Sequence, residues 1–259
     1  MNELSPPVET SLPSATRMSL GARLMNIFTA PGEVFAEVKR GPASPANWLL
    51  PSFLSCIAGV IAAVVVLSQE PIMHQIREQQ EDTLRRSTAR LPKEQQEKAI
   101  EFAEKILNPT VLKILRAGGA LTGTFTWLFL MALGLWVLGT RVFKGTFRFM
   151  QALEVCGLAG MISVLGIIVS MLLAVIMGNL LATPGPALLV KNLDATNPAH
   201  LILSSFHLAN FWYVGVLAIG LARLSGAAVL RSAVWLFSFW MLATAALIFL
   251  TTTAQRLFS

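Results

Sequence analysis

Charge is scarce in this 259-residue chain: 13% of its residues are Asp, Glu, Lys or Arg, about half of what a soluble domain carries. Cysteine is nearly absent, and Cys56 and Cys156 both fall inside apolar runs. That placement argues against a disulfide framework and leaves no pair at zinc-ligand spacing. Histidine occurs three times and tyrosine once. The shortage of charge excludes a water-soluble globule. A hydrophobic content of 54% and a mean hydropathy of +0.64 exclude a disordered chain, which lacks apolar residues to bury. What remains is a multispanning membrane protein.

The motifs of common enzyme chemistries are missing as well. There is no HExxH to hold zinc from a helix, and no Gly-x-Ser-x-Gly turn to expose a serine nucleophile. No GxxxxGK[ST] loop is present to cradle a phosphate. His74, His200 and His207 are dispersed. No catalytic, cofactor-binding or metal-ligating residues are expected, and the chain reads as non-enzymatic. Lys and Arg number 20 against 14 acids, a net charge of +6. In a soluble protein this excess would point to nucleic acid. Here the bases flank apolar spans, where a cytoplasmic excess is the rule, so no nucleic-acid partner is expected. Residues 1–40 contain no continuous apolar core ending in a cleavage site, and no cleavable leader is expected.

Five uncharged windows stand out: 41–69, 117–140, 155–190, 195–222 and 232–255. Each is long enough for a helix of about 20 residues across a hydrocarbon core of roughly 30 Å. The runs are continuous rather than alternating, which predicts helices rather than barrel strands. The expected spans are Trp48–Leu67, Ala117–Gly139, Ala152–Met177, Leu201–Ala222 and Ala233–Thr253. The fold class is therefore all-α: a polytopic bundle of five transmembrane helices over residues 48–253.

Residues 69–113 hold eight acids and eight bases and cannot cross. They predict a charged extramembrane hairpin, with one helix from about Ile72 to Ala89 and a second from Pro92 to just before Asn108-Pro109. Glu81/Arg85, Asp82/Arg86, Glu94/Lys98 and Glu101/Lys105 have the acid-first i,i+4 order favoured on a helix surface. Ala99, Ile100, Ala103 and Ile106 form an apolar stripe that would suit a partner.

Before the first span, residues 1–16 read as a disordered tail and residues 17–47 as a short amphipathic segment. Met18, Leu24, Ile27 and Phe28 recur at helical spacing among Arg17 and Arg23, which suits a helix in the headgroup region. Pro31 and Glu33 open a second short helix with Val34, Phe35 and Val38 on one face and Lys39-Arg40 at its end. Packing of both helices against the ends of the spans is the alternative. Arg17, Arg23, Phe28, Pro31, Phe35, Lys39 and Arg40 are the expected membrane or partner contacts. With this segment inside, Arg141, Lys144, Arg148, Arg223 and Arg231 also face the cytoplasm and the C-terminus lies outside. A bacterial cytoplasmic membrane is the expected location.

These features resemble the Ypt-interacting-protein (Yip) family. The similarity lies in Phe28-x2-Pro31-x3-Phe35 leading into a span after Trp48 and in the loop Thr140-Arg-Val-Phe-Lys-Gly-Thr-Phe-Arg-Phe-Met-Gln-Ala-Leu153. The glycine-rich third span and the link Ala222-Arg-Leu-Ser-Gly-Ala-Ala-Val-Leu-Arg-Ser232 extend it over residues 25–253. The resemblance implies an integral membrane protein with a cytoplasmic N-terminus. Eukaryotic members bind small GTPases and act in vesicle traffic. The Asp-Leu-Tyr-Gly-Pro-type motif of those members is absent here, which points to the prokaryotic branch.

Within the spans, Glu154 near the end of the third is a candidate ion or proton site. It is also placed to pair with Arg141, Arg148 or Arg231. Ser204, His207 and Asn210 recur every third residue on the expected fourth span, with Asn179 at similar depth, and together they suggest an outer polar pocket or interhelical hydrogen bonds. Close helix approach is expected at Ser55-x3-Gly59-x3-Ala63, Gly119-x3-Gly123, Gly166-x3-Ser170 and Ala218-x3-Ala222. The leading reading is a Yip-type protein that organises membrane or recruits partners, touching the lipid bilayer and a protein partner or second copy. A small transporter or channel component, or an accessory subunit of a larger complex, are the alternatives. The lack of an internal repeat weakens an inverted-repeat transporter.

Overall fold

The structure, a computed structural model, describes residues 17–88, 92–106, 108–190 and 197–257. The tail expected at 1–16 lies outside the described residues. Every regular element among them is helical. Two short helices, α1 (Leu20–Asn26) and α2 (Pro31–Arg40), precede the first long helix, α3 (Ala46–Val66). The charged hairpin is α4 (Glu70–Thr88) and α5 (Lys93–Ile106), and α6 (Pro109–Val137) follows. After α6 come α7 (Phe149–Met177), α8 (Pro198–Ser205), α9 (Leu208–Ser225) and α10 (Val229–Leu257). Among the described residues, five helical stretches are long and apolar enough to cross a membrane: Ala46–Val66, Pro109–Val142, Phe149–Met177, Leu208–Ser225 and Val229–Leu250.

The central helix is α7, which packs on α3, α6 and α9. Its crossing with α3 is close because position 157 is glycine: a Cβ there would lie 2.4 Å from the Trp48 backbone Cα. Gly220 does the same for α9, where a Cβ would meet Val155 at 2.4 Å and the Phe35 ring at 3.2 Å. Of the small-residue pairs read from the sequence, Gly59 meets Ala120 and Gly166 meets Ala209, whereas Gly119 and Gly123 face open space. The helix α10 is peripheral and packs on α9 and α8. Phe206, Phe211, Phe237 and Trp240 hold it there, with ring centroids 5.3 to 6.2 Å apart.

The chain order gives the bundle two faces. The near face carries α1, α2, the α6–α7 link and the α9–α10 link. The far face carries the hairpin and the α7–α8 segment. At the near face α6 ends in a π-helical turn over Leu138–Val142, with Lys144 in the left-handed region at φ 58°.

The structure differs from the sequence expectation in three places. The fourth span is not one helix from Leu201: α8 ends at Ser205, and α9 begins at Leu208. The loop before α8 causes the break. The Leu208 amide donates to the Pro184 carbonyl at 2.8 Å, while the Thr183 hydroxyl donates to the Ser204 carbonyl, which an unbroken helix would have offered to Leu208, at 3.5 Å. Gly185 fits against this break, since a Cβ there would meet the Phe206 carbonyl oxygen at 2.5 Å.

The hairpin, second, is not simply solvated: Ile72, Met73 and Ile76 of α4 are buried against Val66, Leu67, Leu112 and Ala174. Of its four expected ion pairs, Lys98 and Glu94 meet at 2.7 Å. Asp82, Arg85, Arg86 and Lys105 fall outside the described side chains. So do Ala99, Ala103 and Ile106 of the expected stripe, while Ile100 and Phe102 are exposed.

Third, of the two placements expected for α1 and α2 the structure has the packed one, carried deeper than the ends of the spans: both are folded into the bundle rather than laid along its surface. Ile27, Val34 and Phe35 are each 0% exposed. Phe28, at the turn between them, meets Trp212 edge-on at 5.8 Å, near the far end of α9. Nonhelical backbone at such depth is tolerated where protein covers it. Here the amides of Thr29 and Ala30 both bond to the Asn26 carbonyl.

Candidate functional site at the two ends of the bundle

The near face contains a buried polar centre. Asn47, in the first turn of α3, and Glu154, in the second turn of α7, are 0% and 1% exposed. The Asn47 side-chain amide donates to Glu154 Oε2 at 2.5 Å, and the Ser44 backbone amide donates to Oε1 at 3.1 Å. From α1, Arg23 donates to Asn47 Oδ1 at 3.2 Å and pairs with Glu37 of α2 at 3.2 Å. The Met18 amide caps the other Glu37 oxygen at 2.9 Å. Gln151 adds a bond to the Lys39 carbonyl at 3.0 Å and accepts from the Arg148 amide at 3.0 Å.

One guanidinium thus serves two carboxylates, one directly and one through an amide. Arg141, Arg148 and Arg231 do not meet Glu154. Arg231 instead lies over the Phe143 ring at 5.2 Å. A buried carboxylate is stable only when hydrogen-bonded, and every Glu154 bond reaches back to residues 44–47. The centre therefore pins the segment before α3 to α7. Asn47, which makes the key link, is a residue that the sequence reading left just outside the first span.

Around this centre the near face is strongly basic. Arg17, Lys39, Arg40, Arg141, Lys144, Arg148, Arg223 and Arg231 are exposed, and Glu33 is the exposed acid among them. Arg23 does not share this surface, because it points inward. Phe28, Pro31 and Phe35 act inside the fold: Pro31 starts α2, Phe35 fills the space against Gly220, and Phe28 anchors the turn.

The far face contains a cavity of about 670 Å³ bounded by α3, α6, α7 and α9. It forms because α6 reaches α9 chiefly at the near face, through the π-helical turn. Small side chains leave the space open: Gly59, Ala62 and Ala63 from α3 face Gly166, Ser170 and Ala174 from α7. Arg116, His207 and Asn210 also line it. His207 is the N-cap residue of α9 but makes no capping bond, and its Nδ1 is buried without a partner, as are Trp48 Nε1 and Ser232 Oγ elsewhere. Asn179 is not at the cavity. Its side chain accepts from the Leu181 amide at 2.9 Å and shapes the turn after α7. The sequence reading also passed over Arg116, which lies one helical turn deeper than Lys113.

A smaller cavity of about 110 Å³, lined by Ser52, Ser55, Cys156, Gly157 and Tyr213, shares Ser163 and Ile167 with the large one. The two spaces follow each other from the far face toward the Asn47–Glu154 centre.

An all-helical bundle with five apolar spans and polar groups held at its ends defines a polytopic integral membrane protein. Residues 25–250 match the Yip1 domain family model, and the chain belongs to that family. No curated protein and no solved structure matches it.

Proposed function

We propose that this Yip-family protein is a non-enzymatic organiser or recruiter at a bacterial cytoplasmic membrane, acting through its near face on the cytoplasmic side. One observation carries the reading: eight exposed bases stand against Glu33 on that face. The positive-inside bias supports placing it in the cytoplasm, with the C-terminal end of α10 outside. An anionic leaflet attracts bases near its surface by about 1 kcal/mol each. Arg17, Lys39 and Arg40 supply the free charge of the N-terminal segment, and Met25 of α1 is 69% exposed. Docking of an acidic protein or a second copy on the same face is the competing outcome.

The test uses the full-length protein in nanodiscs of neutral lipid, mixed with vesicles that contain or lack phosphatidylglycerol. Binding to anionic vesicles is expected to fall by at least about tenfold when Arg17, Lys39 and Arg40 are changed to Glu, and to weaken as salt screens the charges. Equal binding by the folded variant would count against the reading. Cysteines placed at positions 40 and 253 should label from opposite sides of the membrane.

A second reading, a small transporter or channel component, draws support from the two adjoining cavities between the far face and Glu154. It predicts flux in proteoliposomes that Glu154→Gln or His207→Ala abolishes in folded protein. Absence of flux across a broad ion and solute panel would remove it.

A further inference from the structure

We propose that the far-face cavity binds an anionic amphiphile: one long apolar chain carrying a carboxylate or phosphate head. This goes beyond the basic near face and does not depend on it. A volume of about 670 Å³ lies within the range of roughly 300–1,000 Å³ typical of small-molecule sites.

The walls divide by chemistry. Gly59, Ala62, Ala63, Ile167 and Met171 make a slot of small and apolar side chains along α3 and α7. Such a slot admits a slender hydrocarbon chain and offers little to a hydrated solute. Arg116 supplies a permanent positive charge, and no acid is among the described residues that line the cavity. Arg116 is exposed and stands immediately before the uncharged stretch 117–140 of α6, so its charge sits at the membrane-surface end of the slot, where a long side chain reaches the headgroup region. Lys113, one turn nearer the helix start, is already engaged by the Ser68 hydroxyl at 2.9 Å. The first turn of α9 opens on the same space through His207, Ala209 and Asn210. A helix start carries partial positive charge; the His207 side chain makes no capping bond here, although the Leu208 amide is taken by the Pro184 carbonyl.

The site is thus positive at one part and oily at the rest. Inorganic phosphate would leave the slot empty, and an uncharged lipid would leave Arg116 without a counter-charge. The head could belong to a bilayer phospholipid with one chain inserted or to a free fatty acid.

Full-length protein in nanodiscs is exposed to photoactivatable palmitate or photoactivatable phosphatidylglycerol, and labelled peptides are mapped. Labelling of α3 and α7 wall peptides is expected, reduced about tenfold by Arg116→Gln through loss of a charge-assisted contact and largely restored by Arg116→Lys. Ala63→Trp and Ser170→Trp should abolish it by filling the slot. Labelling by palmitate alone identifies a free acid, and labelling by the phospholipid alone identifies a membrane lipid. Either supports the site. Equal labelling of the wild-type protein, Arg116→Gln and Ser170→Trp means annular lipid only and overturns the proposal. So does equal labelling by a photoactivatable neutral diacylglycerol. If Arg116→Gln fails to fold by size-exclusion chromatography, Arg116→Lys and Ser170→Trp carry the test.

Discussion

At the near face, Arg23, Glu37 and Glu154 lie inside protein with each charge met by a named partner. At the far face, Arg116 lines a cavity with no acid among the described lining residues, and the helix that should close the space is broken between Ser205 and Leu208. The same five helices build both ends, so the contrast comes from side chains. Where Gly157 and Gly220 bring backbones together, an amide and a carboxylate lock the crossing. Where Gly59, Ala63 and Ser170 are not matched by large partners, space remains. Cohesion has been concentrated at one end and room at the other.

Substitutions can break that contrast. The largest loss is expected for Phe35→Ala, which empties a fully buried site. Such changes cost about 3–5 kcal/mol in soluble cores, and about 3 kcal/mol is expected here because the surrounding lipid is itself apolar. Thermal melting in detergent, read by size-exclusion, checks it against Phe102→Ala on exposed α5, where no measurable shift is expected. Glu154→Ala comes next. It strands the Asn47 and Ser44 donors at about 1–3 kcal/mol for each buried unmade bond, and Asn47→Ala should cost much of the same amount because the two share one network. A double-mutant cycle that returned simple additivity would show that the pair is not coupled.

Gly157→Ala follows, at about 1–3 kcal/mol of overpacking against the Trp48 backbone. Gly123→Ala, whose added carbon meets nothing within 4 Å, should lie within about 0.5 kcal/mol of wild type. If the two glycine variants melt alike, the close crossing of α3 and α7 is not where stability resides. A small loss is expected for Asn179→Ala, which removes one part-buried turn bond worth about 0.5–1.5 kcal/mol, and the Gly123 and Phe102 controls lie below it.

Much of the architecture was legible in the spacing of charges, because a run free of Asp, Glu, Lys and Arg for some 20 residues has few other uses. The start of α2 at Pro31 and the stop before Asn108-Pro109 follow from proline and Asx chemistry near at hand. The break before α9 was not legible. Nothing between Leu201 and Ala222 interrupts the apolar run, and the cause sits some twenty residues earlier in Thr183, Pro184 and Gly185. Glu154 was found but its partner was not: nearby arginines looked closer in sequence, whereas Asn47 is brought to it by the crossing at Gly157. The cavity depends on divergence of α6 from α9, a tertiary fact with no local signal. The stripe of Ile72, Met73 and Ile76 was present in the sequence, masked by the charges around it.

The seat of Phe35 also dictates an order of events during synthesis. The residue is made early, yet the wall it rests on includes Gly220 of α9, about 185 residues later, so at roughly 5–20 residues per second the segment waits some ten to forty seconds for its site to exist. Throughout that interval the wall against which Phe35 packs is incomplete. The helix α2 is therefore among the last elements to settle, and a nascent chain halted before α9 would leave the Phe35 ring without the seat that the finished protein gives it.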